Sequence, residues 1–189
     1  ERQERDVRPK RRYLLCAVRL SPEKNVESFV EVVRMIGKEK LDELGVTPLL
    51  IGSGAASYEA DLKRRLLEAH SGAIVSSFTS DPAALASIFM ETILNFHPSL
   101  YEAYGMTVVE AAVFGAPSLI DGGGKVGVGD FLRAEKGEIL TADLSDATAT
   151  SEQLLKLLTT QRGRTELGVV GERAAQRAKS WTRLDLGRD

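Results

Sequence analysis

The sequence predicts an α/β chain: one Rossmann-like, doubly wound domain of about six parallel strands with helices on both faces. Two observations carry that prediction. Short continuous apolar runs, suited to strands buried on both faces, alternate with stretches whose apolar residues recur at helical spacing. The runs return every 20–35 residues, which leaves room for one right-handed helical crossover between consecutive strands. Ligands on such a sheet bind outside the carboxyl ends of the strands, where the strand order reverses. The loops after the first five strands are therefore expected on one edge.

Residues 1–12 carry six basic and three acidic side chains and read as a charged tail or linker. Tyr13–Val18 is the first strand, and Arg19–Asn25 is its loop, punctuated by Ser21, Pro22 and Asn25. Asn25 is expected to cap a helix with the apolar stripe Val26, Phe29, Val30, Val33 and Ile36, continuing to Leu44 and stopped by Gly45. Pro48–Ile51 is the second strand, followed by Gly52-Ser53-Gly54 and a helix from Tyr58 to Ala69. Ala73–Val75 is the third strand. Asp81-Pro82 opens a helix with Leu85, Ile88 and Phe89, a cap followed by proline at the first helical position. Thr92–Phe96 is the fourth strand, Thr107–Phe114 a helix stopped by Gly115, and Pro117–Ile120 the fifth strand. Asp121–Gly129 reads as a flexible glycine loop, Gly137–Leu140 as a sixth strand, and Ser151–Thr159 and Arg164–Ser180 as closing helices. The domain is expected over residues 13–181, with 182–189 a C-terminal tail.

Composition narrows the function. With 189 residues, 43% hydrophobic and 28% charged, the chain suits one domain with a full core. A net charge of −2 gives no general attraction to nucleic acid. Cys16 is the one cysteine, so no intrachain disulfide forms, which fits a reducing, cytoplasmic setting. No run approaches the ~20 apolar residues of a membrane span, and no secretory signal is visible. The first residue is Glu1 rather than Met, as in a fragment or processed product. The two histidines, His70 and His97, and the single cysteine have no metal-ligand spacing, so no metal site is expected.

The loops expected on the shared edge concentrate anion- and hydroxyl-binding groups. Arg19 and Lys24 suit a diphosphate, one as a fixed fork and the other as a point charge; both equally suit a solvated loop. Gly52 and Gly54 allow close backbone approach to a ligand or simply make a turn. Ser57 replaces the third glycine of the dinucleotide fingerprint, so no NAD-type reading follows. Gly105 lets the chain turn before Met106 and Thr107 open a helix, whose free amides and dipole favour an anion. Glu102 is a hydroxyl acceptor or an exposed loop acid. Glu110 is either a ligand contact or the closing acid of a Thr107-x-x-Glu110 capping box. His97 reads as a packed or hydrogen-bonded histidine.

Pro98–Ala112, with Glu102 and Glu110, resembles the Glu-x7-Glu signature of retaining glycosyltransferases of the GT-B fold, in particular glycosyltransferase family four. Arg19–Asn25 resembles the family's Arg-x4-Lys segment. Leu50–Gly54 resembles its second-strand glycine turn, and Gly115-Ala116-Pro117, the glycine loop and Lys179-Ser180-Trp181 fall in register. The resemblance implies the C-terminal, donor-binding half of a two-domain enzyme transferring a hexosyl group, mannosyltransferase-like, in glycan biosynthesis. Arg19 and Lys24 would hold the donor diphosphate and Glu102 the sugar hydroxyls. The amides of Gly105, Met106 and Thr107 would meet phosphate or sugar, Glu110 the ribose, and Ser77 and Phe78 the base. It implies no required cofactor; the donor, a UDP-, GDP- or ADP-sugar, is the substrate. The N-terminal acceptor domain would be missing from this chain, and membrane contact would run only through it. Lys125 and Val126 depart from the family's usual acid after the strand-five glycines. A non-catalytic nucleotide-sugar-binding or assembly module of the same fold is the alternative, and a sugar-nucleotide epimerase a third.

Overall fold

The computed structural model describes residues 10–79 and 81–185. Its centre is one sheet of six parallel strands: β1 Tyr13–Ala17, β2 Thr47–Ile51, β3 Ile74–Ser76, β4 Thr92–Phe96, β5 Ser118–Asp121 and β6 Leu140–Ala142. The spatial order is β3-β2-β1-β4-β5-β6, so the winding reverses between β1 and β4. Among the described residues eight α-helices accompany them: α1 Val26–Ile36, α2 Lys38–Leu44, α3 Ala56–Ala69, α4 Pro82–Met90, α5 Met106–Val113, α6 Val128–Phe131, and, after β6, α7 Ala147–Thr159 and α8 Gln161–Asp185. The single α/β domain expected from the sequence is what forms.

Strand pleating sorts the core into two faces. Leu14 and Cys16 of β1, with Leu50, Leu94, Phe96 and Leu119, pack under α1, α2, α3 and α7. Leu15 and Ala17 turn the other way, towards Phe89 of α4 and Ala111 of α5. α8 serves both sides: Leu167 and Val170 join the first cluster, and Ala174 and Ala178 join Val108, Ala112 and Ile120. Burying each large aliphatic contributes about 1.5–3 kcal/mol, which fixes the sheet as a rigid floor for the loops above its carboxyl edge.

Several local expectations are corrected. The helix read from Val26 to Leu44 breaks at Gly37, whose φ of +85° ends α1 and starts α2. Asn25 makes no side-chain cap. It takes a left-handed conformation, which asparagine tolerates, and its Nδ2 donates to Pro98 O at 3.2 Å and Leu144 O at 3.4 Å. The sixth strand lies at Leu140–Ala142, because Gly137 adopts φ +63° and closes a 3-10 turn where a strand was read. The helix read from Ser151 begins at Ala147, where Asp146 accepts from Ala149 N–H. α8 runs unbroken through Gly168 and Gly171. At Gly171 a Cβ would stand 2.3 Å from Gly115 O, so glycine there permits helix packing.

The ends of the domain shift as well. Arg11 and Arg12, read as tail, are tied in: Arg11 Nη1 donates to Thr92 O at 2.9 Å, and Thr47 N–H donates to Arg12 O at 2.8 Å. Residues 1–9 of the tail lie outside the described residues. α8 continues past Trp181 to Asp185, and residues 186–189 of the C-terminal tail lie outside the description.

Candidate functional site

The reversal of strand order places the β1 and β4 loops side by side, and the chain uses that juxtaposition. Pro22–Lys24 is a 3-10 turn after β1, fixed by Lys24 N–H to Ser21 O at 2.9 Å. From it Lys24 Nζ donates to Glu102 Oε2 of the β4 loop at 2.5 Å. The two side chains are only 17% and 21% exposed. Ion pairing at that depth is much less screened than at a surface. Arg19 lies in the same β1 loop but turns outward to Glu23 at 2.6 Å, both more than half exposed.

Glu102 is held on its backbone too. Its N–H donates to Lys125 O at 3.1 Å, and Gly127 N–H donates to Glu102 O at 2.8 Å. A Cβ on Gly127 would sit 2.0 Å from Ala103 O, so only glycine lets the strand-five loop approach this closely. The loop read as flexible is thus a clamp on residues 102–103. Val126 and Val128 are buried, and α6 forms within it. Lys125 contributes only its backbone carbonyl to this contact, which any residue there would supply.

Gly105 is the N-cap of α5 at φ +69°. Thr107 therefore sits inside the helix, and the Thr107-x-x-Glu110 capping box does not form. Val108 N–H turns back to Gly105 O at 2.9 Å. The amides of Met106 and Thr107, at the first two helical positions, face the positive end of the helix dipole without an intrahelical acceptor. Glu110 lies one turn on, half-buried, with no hydrogen bond or ion pair among the described residues.

Charge follows these surroundings. Burial pushes the Glu102 carboxyl up, but the Lys24 hydrogen bond and charge, with the Tyr104 backbone, outweigh it and hold the group below its ordinary value. Glu110 has only burial, which raises it. His97 follows β4 directly, is 2% exposed, and has no partner on either ring nitrogen among the described residues. Burial holds it down to about 4, so the imidazole is neutral beside the pair.

The remaining predicted residues divide. Gly52 and Gly54 lie beneath the β1 loop. A Cβ would stand 2.0 Å from Val18 O at Gly52 and 1.9 Å from Leu20 O at Gly54. The close approach read as room for a ligand is made by the chain itself. Ser77 and Phe78 are exposed after β3, on the same edge but at its outer strand. Asn25, which pins the β1, β4 and β6 loops together, was missed. Its signal was an asparagine next to a turn, which fits a left-handed residue as well as a cap. A groove of about 410 Å³ lies elsewhere, between β6 and α8, lined by Ile139, Leu140, Arg162, Val169 and Arg173. Its Thr165 hydroxyl donates to Gln161 O at 3.0 Å and its Glu166 makes no ion pair among the described residues, so the chemistry favours the carboxyl edge. Among the described residues no helix is long and apolar enough to cross a membrane, and no group of three His, Cys, Asp or Glu could hold a metal ion.

Comparisons with known proteins bear on the family and the fold. The family described as glycosyl transferases group 1 matches residues 1–176. Among solved structures, the C-terminal domain of a glycosyl transferase group 1 family protein (LpcC) from Francisella tularensis superposes with a TM-score of 0.74 at 14% identity, over 91% of this chain and 86% of that one. HepE from Anabaena, solved in complex with UDP-glucose, gives 0.73 at 16% identity, over 90% of this chain and 44% of that one. Sucrose-phosphate synthase from Thermosynechococcus elongatus gives 0.71 at 20% identity, over 94% and 44%. The chain thus spans less than half the length of the last two. A comparison with curated protein sequences gives no match.

Proposed function

Because the chain belongs to the glycosyl transferases group 1 family, we propose that it is the donor-binding half of a retaining transferase that moves a hexosyl group from a nucleoside-diphosphate sugar. The observation that carries this reading is the Lys24–Glu102 pair beside the amino end of α5, at the point where strand order reverses. A cation, two helix amides and a carboxylate converge there, and a sugar diphosphate offers phosphate oxygens and ring hydroxyls in the same order.

In this reading the diphosphate lies over the amides of Met106 and Thr107. Lys24 and the exposed fork of Arg19 neutralise it. Glu102 accepts hydroxyls of the transferred sugar. Glu110 accepts the ribose hydroxyls, which accounts for a half-buried acid without a partner. The base lies towards Ser77 and Phe78. Gly52 and Gly54 act from beneath, by letting the β1 loop lie flat. As the glycosidic bond breaks, negative charge grows on the departing diphosphate, and donors already fixed in place stabilise it without reorganising. The acceptor is bound by a second domain outside this chain, in line with its span of 44% of HepE. By itself the chain binds donor weakly and transfers little.

Titration calorimetry with UDP-, GDP- and ADP-glucose and GDP-mannose tests this. One of the four is expected to bind at millimolar concentration or below. Heat from none of them at millimolar concentration overturns the reading.

A further inference from the structure

Lys24 and Glu102 are assigned to different parts of one ligand, yet they hold each other. Resting on the reading above, we propose that Glu102 competes with the ligand's diphosphate for Lys24, so that the site favours the intact sugar donor over free diphosphates and expels the diphosphate left after transfer.

Both ends of the pair are fixed, which makes the competition recurrent. The Lys24 backbone is held in its 3-10 turn, and Asn25 next to it is anchored to Pro98 O and Leu144 O. Glu102 is clamped through Lys125 and Gly127. The pair therefore re-forms whenever its competitor leaves. No second cation pairs with Glu102 among the described residues: Arg19 is turned to Glu23, and His97 is neutral.

Consider three occupants. An empty site keeps the pair. A free diphosphate that takes Lys24 leaves a carboxylate 21% exposed, unpaired, and next to new negative charge. A sugar donor takes Lys24 as well, but its hydroxyls donate to Glu102 and offset what the carboxylate lost. After transfer those hydroxyls leave with the sugar. Glu102 then reclaims Lys24, and the diphosphate loses one of its two cations. The selectivity is a difference between two bound states, built from a repulsive element as well as an attractive one.

The test uses this chain, inorganic pyrophosphate as a probe independent of the base, and the nucleotide sugar that binds in the titration above. Glu102→Gln is expected to bind pyrophosphate about 10-fold tighter than the parent, and the nucleotide sugar no tighter. The preference for sugar donor over pyrophosphate then collapses. Lys24→Met combined with Glu102→Gln separates competition from simple loss of a nearby negative charge. Measured against Lys24→Met alone, Glu102→Gln gives no gain in the double variant if Glu102 acts through Lys24, and the same gain if it does not. Should Glu102→Gln lose its fold by circular dichroism, Glu102→Asp, with a carboxylate one methylene short of Lys24, is expected to show an intermediate gain. Unchanged or weaker pyrophosphate binding in a folded variant, with the parent still binding a nucleotide sugar, overturns the competition alone. A parent that binds no nucleotide sugar overturns the underlying reading, and the competition with it.

Discussion

Glu102 and Glu110 stand on one loop-to-helix segment, eight positions apart, and their surroundings drive them in opposite directions. Glu102 is pulled down by a lysine that reaches it from a loop 78 residues away in sequence. Glu110 is pushed up by burial, with no side-chain partner among the described residues. Both positions carry half-desolvated acid, and in one case the fold supplies the counter-charge while in the other it does not. A paired acid of this kind serves architecture and ligand together. An unpaired one opposes folding, so the site is where its contribution has to be sought.

Removing the partner should collapse the contrast, and this is the largest effect expected. Lys24→Ala leaves Glu102 enclosed without its cation and should destabilise the chain by about 1–3 kcal/mol at pH 7, less than a fully buried pair because both groups retain some solvent. A folded-state value held low adds stability above the ordinary carboxyl range and loses it as pH falls. The deficit measured by urea unfolding should therefore shrink on going from pH 7 towards pH 3.

Gly127→Ala attacks the same residue through its backbone. The new Cβ meets Ala103 O at 2.0 Å, so the clamp must open. A loss of about 1–3 kcal/mol is expected, with nucleotide-sugar affinity falling in step. Equal loss of stability with unchanged affinity would show that the clamp does not position Glu102.

Glu110→Gln should act with the opposite sign on stability. A raised folded-state value means the charged acid opposes folding as pH rises through it, so glutamine should lift the melting temperature slightly at pH 7. The gain should vanish below the ordinary carboxyl value of 4.5. Donor affinity should fall in the same variant. A gain in stability with no loss of binding would remove Glu110 from the ribose site.

Arg19→Ala is the smallest test for the fold. Its pair with Glu23 is open to water, so the unfolding midpoint should not move. Donor affinity should weaken, and that weakening should shrink at high salt.

Part of this was legible in the sequence for a physical reason. Runs such as Leu14–Cys16 and Leu49–Ile51 are continuous and apolar because a parallel strand is covered on both faces, and that pattern survives without long-range information. Turn residues were less transparent. Gly37 breaks a helical stripe that continues in phase on either side, and Gly137 looks like the start of a strand until its φ is known. Glycines 52, 54 and 127 record where backbone touches backbone, which spacing does not distinguish from room for a ligand. Whether Glu110 closes a capping box turned on one residue, since a cap at Gly105 puts Thr107 inside α5. The Lys24–Glu102 pair and the anchoring role of Asn25 join loops far apart in the chain, and no local pattern encodes such contacts.

In the proposed function the carboxyl edge between β1 and β4 receives the sugar diphosphate. Backbone amide shifts in ¹⁵N-labelled chain, followed while the binding nucleotide sugar is added, test it most directly. The amides of Lys24, Gly105, Met106, Thr107 and Glu110 are predicted to move together and saturate at one affinity. Shifts confined to the groove between β6 and α8, around Ile139 and Arg173, with Met106 and Thr107 unmoved, would contradict it.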